Sequence, residues 1–145
     1  MKKTKKITRI NLKDNQYPAH ILIGLVSPEP DYKLSLLINK KLRISLKNSE
    51  PVQIAGDKKQ IIFSRFSAAS DDSELTYSLV SNRCEKEYLI RKLKNIDYIF
   101  VLHSHAEETD IESLTANLRL TESVTAALRI NHDELKDKNI QYLIH

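Results

Sequence analysis

Glycine is nearly missing from this chain, with two residues in 145, Gly24 and Gly56. A P-loop or a dinucleotide-binding turn needs several glycines so that backbone N–H groups can approach phosphate closely, and sites of those kinds are excluded. Cysteine occurs once, as Cys84, which rules out an internal disulfide and a Cys-x-x-Cys zinc pair. One free thiol fits a reducing compartment, so a cytoplasmic setting is expected. Tryptophan is missing and aromatics make up 6%, leaving few rings on which nucleic-acid bases could stack. No apolar run approaches the roughly 20 residues that cross a bilayer, so no membrane partner is expected. The basic start MKKTKKITRINLK has no apolar segment behind it and does not read as a secretory signal.

What is present describes a folded protein. Hydrophobic residues at 41% and charged residues at 29% suit a globular chain, and 145 residues suit one domain with its own core. Residues 1–6 read as a basic, flexible N-terminal end of that single domain. Charge is unevenly spread. Residues 1–59 hold 13 Lys/Arg against 5 Asp/Glu, a balance of +8, and residues 60–145 hold 10 against 14, a balance of −4. Such asymmetry points to an anionic partner or to head-to-tail self-association, with a solubilising tail as the plain alternative.

Periodicity supplies the elements. Ile7–Leu12 alternates weakly, as an edge strand would. His20–Val26 (HILIGLV) is continuously apolar and branched, the pattern of a strand buried on both faces. Ser27-Pro28-Glu29-Pro30 breaks it, and Asp31 opens a helix whose Leu34, Leu37, Ile38 and Leu42 form one stripe. Residues 47–59, with Pro51 and Gly56, read as a loop. Ile61–Ala68 and Leu75–Ser81 read as a hairpin joined by Ala69–Ser73. Asn82–Lys86 is a polar break, Asp97–His103 another buried strand. Thr109-Asp110-Ile111-Glu112 has the form of a capping box before a helix with Ile111, Leu114 and Leu118 on one face. Ser123–Ile130 alternates as a strand with Val124, Ala126, Leu128 and Ile130 turned inward. Asn131 to Glu134 suits the start of a short helix, and Ile140–Ile144 alternates as a last strand would. The order predicts an α+β fold: a mainly antiparallel sheet with two helices on one face, ferredoxin-like or a related sandwich.

Several segments carry a resemblance. Asp31-Tyr32-Lys33-Leu34 with Ile38-Asn39, then Leu75–Arg83 (LTYSLVSNR), then Tyr88–Tyr98 (YLIRKLKNIDY), stand in the order seen in the IPExxxVDY family of uncharacterised bacterial proteins, chiefly of Bacteroidota. The likeness runs over about residues 17–140. Ile90 stands at the isoleucine of the motif and Ile96-Asp97-Tyr98 at its Val-Asp-Tyr, while Arg91-Lys92 replace its Pro-Glu. The resemblance implies a bacterial source and a cytoplasmic setting, but no activity, substrate or cofactor.

Reactive constellations are few. His103-Ser104-His105 has the i, i+2 spacing that lets two imidazoles on a strand face one ion, yet a zinc site needs three or four ligands. Asp97 at the start of a buried strand suits either a general base or a turn-capping carboxylate. Cys84 between Arg83 and Lys86 is either an activated or a plain thiol. No Gly-x-Ser-x-Gly elbow exists. The cations Lys2, Lys3, Lys5, Lys6, Arg9 and Lys13, with Lys40, Lys41, Arg43 and Lys47, and then Arg91, Lys92 and Lys94, are the candidates for binding RNA or another polyanion.

With no complete acid–base pair, nucleotide loop or ligand cluster, the sequence points to a non-catalytic binding or adaptor protein with a protein partner and no cofactor. The second reading is an RNA- or polyanion-associated accessory protein using the basic half. The third is a small metal- or ligand-dependent enzyme at His103, His105 and Asp97. An exposed edge strand predicts pairing with a second copy as a homodimer.

Overall fold

The computed structural model describes residues 20–69, 75–103 and 108–144. Their elements are β1 (His20–Val26), α1 (Asp31–Leu42), β2 (Lys47–Ala55), β3 (Gln60–Ala69), β4 (Thr76–Ser81), β5 (Arg83–Cys84), β6 (Glu87–Tyr88), β7 (Tyr98–His103), α2 (Glu108–Arg119), β8 (Ala126–Ile130) and α3 (His132–Leu135). Single 3₁₀ turns occupy Arg91–Leu93 and Lys138–Tyr142. The proposed strand Ile7–Leu12, the basic end and the hairpin connection at 70–73 lie outside the described residues.

Six strands form one sheet in the order β2-β3-β4-β7-β1-β8, and every neighbouring pair is antiparallel. The fold is therefore α+β. Within it, β8-β1-β7-β4 with α1 and α2 has the strand order of a ferredoxin-like unit, which β3 and β2 extend at one side. Alternation along the central strands fills two cores. Ile21, Ile23 and Leu25 of β1 and Tyr98, Phe100 and Leu102 of β7 face the helices, meeting Leu34 and Ile38 of α1 and Ile111 and Leu118 of α2. Leu22, Ile99 and Val101 face the other way. There the cover is irregular: Leu89, Ile90 and Ile96 from the segment after β6, and Ile140 and Leu143 from the C-terminal end.

That irregular layer hangs on Asn82, which is fully buried. Its amide donates to the carbonyls of Leu93 and Ile96, both at 2.9 Å, and its Oδ1 accepts from the Ile90 N–H at 2.8 Å. Its own N–H and C=O bond Asp97 and Leu89. A loop buried over a sheet must satisfy its backbone groups locally, and one asparagine does so for several of them.

Several expectations need correction. Lys47–Ala55 is a strand, not a loop. It is an edge strand, where proline is tolerated because one side needs no donors, and its register shifts between Ser49 and Val52 to pass Pro51. Asn39 brings the chain there by bonding both the N–H and the C=O of Leu46. Thr109 stands in the first turn of α2 rather than at its cap, since the helix already includes Glu108. The strand expected at Ser123–Ile130 covers only Ala126–Ile130, and Leu128 is 46% exposed while Ala127 is buried in the helix-side core, because β8 is the sheet edge and Leu128 lies opposite Gly24. Lys138–Tyr142 is a 3₁₀ turn, begun by Asp137 accepting from the Asn139 N–H at 2.8 Å. The helix stripe of α1 and the short helix after Asn131, whose Oδ1 accepts from the Asp133 and Glu134 N–H groups, agree with expectation.

Candidate functional site

Alternation places a second kind of residue on the sheet face away from α1 and α2. In β3, Phe66 and Ala68 turn to the helices, so Arg65 and Ser67 turn away. In β4, Tyr77 and Leu79 turn to the helices, so Thr76 and Ser78 turn away. The irregular layer covers this face over Phe63, Val80 and Val101 but stops short of these polar residues. His103, at the end of β7, lies opposite Thr76 on one side and His20 on the other. The result is an open groove of about 370 Å³ lined by Ser49, Arg65, Ser67, Thr76, Ser78 and His103, with Glu50 also at its wall.

The groove holds a continuous hydrogen-bonded row across four strands. Ser49 Oγ donates to the Arg65 carbonyl at 3.2 Å and lies 2.9 Å from Ser67 Oγ. Ser67 Oγ is 3.4 Å from Ser78 Oγ, which is 3.5 Å from His103 Nε2. A serine hydroxyl has one proton. With that of Ser49 on the Arg65 carbonyl, the row runs from His103 Nε2–H to Ser78, Ser67 and Ser49; with that of Ser49 on the nearer Ser67 oxygen, it runs the other way and ends on His103 Nε2 as acceptor. Either way the hydroxyl protons are used inside the row, and the half-buried Ser49 and Ser67 keep lone pairs for the groove, while Ser78 is buried behind it. The His103 ring meets His20 edge to face, with centroids 5.0 Å apart. Burial, helped by His20 and Arg65, pushes the pKa of His103 down to about 4, so its imidazole is neutral at neutral pH.

Arg65 is the groove's cation. Its Nε donates to the Glu50 carbonyl at 2.8 Å, which fixes the guanidinium plane, and its two terminal nitrogens have no partner among the described residues. The Glu50 carboxylate forms no ion pair with it. The Thr76 hydroxyl likewise has no partner among the described residues.

The other sequence candidates fall elsewhere. Asp97 is a structural node: Oδ2 accepts from the buried Ser27 N–H at 2.9 Å and Oδ1 meets Arg83 Nε at 2.9 Å. Tyr98 donates its hydroxyl to the Glu29 carbonyl. Burial first, then the nearby Asp31, Asp97 and Glu29 charges, push its pKa up to about 12. Together the pair pins the exit of β1 and the entrance of α1. His105 lies outside the described residues, and among those described no three His, Cys, Asp or Glu side chains gather to hold a metal. Cys84 sits half-buried on β5, and its neighbour Arg83 is engaged by Asp97 and by the Tyr88 ring, 5.4 Å from the guanidinium carbon.

The basic candidates are not brought together. Lys40, Lys41 and Arg43 end α1 on the helix layer, and Lys47 begins the edge strand β2. Arg91, Lys92 and Lys94 belong to the irregular layer across the sheet, where Lys92 Nζ donates to the Leu135 carbonyl at 2.7 Å. Lys2, Lys3, Lys5, Lys6, Arg9 and Lys13 lie outside the described residues.

Sequence reasoning missed Ser49, Arg65, Ser67, Thr76 and Ser78. A signal existed, since Arg65/Ser67 and Thr76/Ser78 are polar pairs at strand spacing, but their register across strands is not written in either segment. No helix among the described residues is long and apolar enough to cross a membrane. Comparison with family models, curated proteins and solved structures finds no match to the chain.

Proposed function

We propose that this is a non-catalytic binding protein whose ligand surface is the polar groove over β2, β3, β4 and β7. The supporting observation is the row Ser49–Ser67–Ser78–His103, held in an open 370 Å³ concavity beside the apolar, covered part of the same sheet face. Apolar side chains there would bury more surface and need no partners, so a polar row that stays partly open serves recognition better than stability. Catalysis is a poorer fit. His103, held neutral by burial with its pKa down to about 4, is a weak base near neutral pH. The chain's place in the IPExxxVDY family, resting on the resemblance of its segments, and a cytoplasmic location, resting on its lone cysteine, are part of the same proposal, as is a partner protein for an adaptor role.

The test is amide NMR of the labelled protein against separate pools of sugars, sugar acids, amino acids and nucleosides. Shifts confined to Ser49, Arg65–Ser67, Thr76–Ser78 and His103, with the pool molecules recovered unchanged, support the reading. Chemical conversion of a pool member, or no groove shift with any pool at millimolar concentration, refutes it.

A further inference from the structure

We infer that the groove's ligand is a small hydroxylated carboxylate, a hydroxy acid or sugar acid, with its carboxylate on Arg65 and its hydroxyls along the serine row. The inference rests on the binding reading above and adds the ligand's chemistry to it. Donors and acceptors are segregated in this groove. The free donors are the two terminal nitrogens of Arg65, a planar fork that matches both oxygens of a carboxylate, and the Thr76 hydroxyl. Because its Nε is already spent on the Glu50 carbonyl, the fork is oriented before any ligand arrives, and less side-chain freedom is lost on binding.

The rest of the groove accepts. The row commits the protons of Ser49, Ser67 and Ser78 internally in either direction and leaves the second lone pairs of the half-buried Ser49 and Ser67. Glu50, whose carbonyl holds Arg65 Nε, borders the groove and adds a negative charge nearby. A ligand that is negative at one end and rich in O–H donors along its length satisfies both halves. A bare oxyanion such as fully ionised phosphate satisfies only Arg65 and faces Glu50 and the serine lone pairs unfavourably. A neutral polyol satisfies only the acceptors. A volume of about 370 Å³ lies at the small end of ligand pockets and suits a small molecule.

Four probes separate these cases by calorimetry or amide NMR titration of the full chain: D-gluconate, sorbitol, acetate and inorganic phosphate. Gluconate is expected to bind at least about tenfold more tightly than any of the others, since each of those lacks one half of the match. Arg65→Gln is expected to weaken gluconate at least about tenfold and leave sorbitol unchanged, Arg65→Lys to recover only part of the loss, and Glu50→Gln to strengthen gluconate. Amide spectra of each variant confirm that it is folded. If sorbitol matches gluconate and Arg65→Gln changes nothing, the carboxylate assignment is overturned while the groove remains a binding site. Acetate or phosphate binding as tightly as gluconate overturns the hydroxyl half in the same way. Failure of all four probes, together with silence from every pool, overturns both readings.

Discussion

Replacing Asn82 by alanine removes three side-chain hydrogen bonds from a fully buried position while leaving both of its backbone bonds in place. The Leu93 carbonyl keeps a second partner, the Ile96 N–H at 3.0 Å. Among the described residues the Ile90 N–H and the Ile96 carbonyl have only Asn82 and become orphans. A buried polar group left unpaired costs about 1–3 kcal/mol, so Asn82→Ala is expected to destabilise by about 2–6 kcal/mol. That is a large share of the roughly 5–15 kcal/mol that holds an ordinary domain together. Urea unfolding followed by circular dichroism reads it as a lower midpoint at constant slope. Asn82→Asp sharpens the case. It keeps the shape but sets an ionised, acceptor-only group against two carbonyls at 2.9 Å, and it should be at least as damaging at pH 7. A loss below about 1 kcal/mol for the alanine variant, or a wild-type midpoint for the aspartate variant, would refute the view that this residue organises the irregular layer.

His103 makes stability depend on pH. Its folded pKa, about 4, lies below its unfolded value of 6.5, so protons bind the unfolded chain first. The contribution is complete above pH 6.5 and is lost as pH falls toward 4. After discounting for its partial exposure it amounts to about 1–2 kcal/mol. His103→Gln should flatten that part of the urea midpoint-versus-pH curve, and an unchanged slope would contradict the assignment. Asp97→Ala orphans the buried Ser27 N–H and should cost about 1–3 kcal/mol in the same assay, whereas Arg83→Ala, at a half-exposed partner, should cost under about 1. Equal losses would mean that the ion pair rather than the backbone bond matters. Arg119 Nη2 donates to the Ala127 carbonyl on edge strand β8 at 2.8 Å, and Pro51 with its register shift interrupts the other edge. Arg119→Ala should therefore raise self-association in light scattering at high micromolar concentration, and no rise would show that β8 is not guarded by this contact.

Much of this fold was legible because local pattern and burial coincide. A continuous apolar run such as HILIGLV can be satisfied only with cover on both faces, and β1 lies inside the sheet with helices on one side and the irregular layer on the other. The stripe of α1 is equally local, since 3.6-residue spacing alone puts Leu34 and Ile38 on one face. β2 was illegible for the opposite reason. Its nine residues are mostly exposed and contain a proline, so nothing in the segment marks it as extended, and only the partner β3 holds it there.

The sequence by itself determined the α+β class, the buried strands, both long helices and the lack of a glycine-built phosphate site. Those follow from composition and periodicity, which act within one segment. Tertiary structure alone decided the rest: that Asp97 and Tyr98 pin a junction, that the described basic candidates are spread over the helix layer, an edge strand and the irregular layer, and that serines from β2, β3 and β4 line up with His103. Each of these depends on which residue lies across the strand boundary. That register is set by the packing of the whole sheet, not by any stretch of chain read alone.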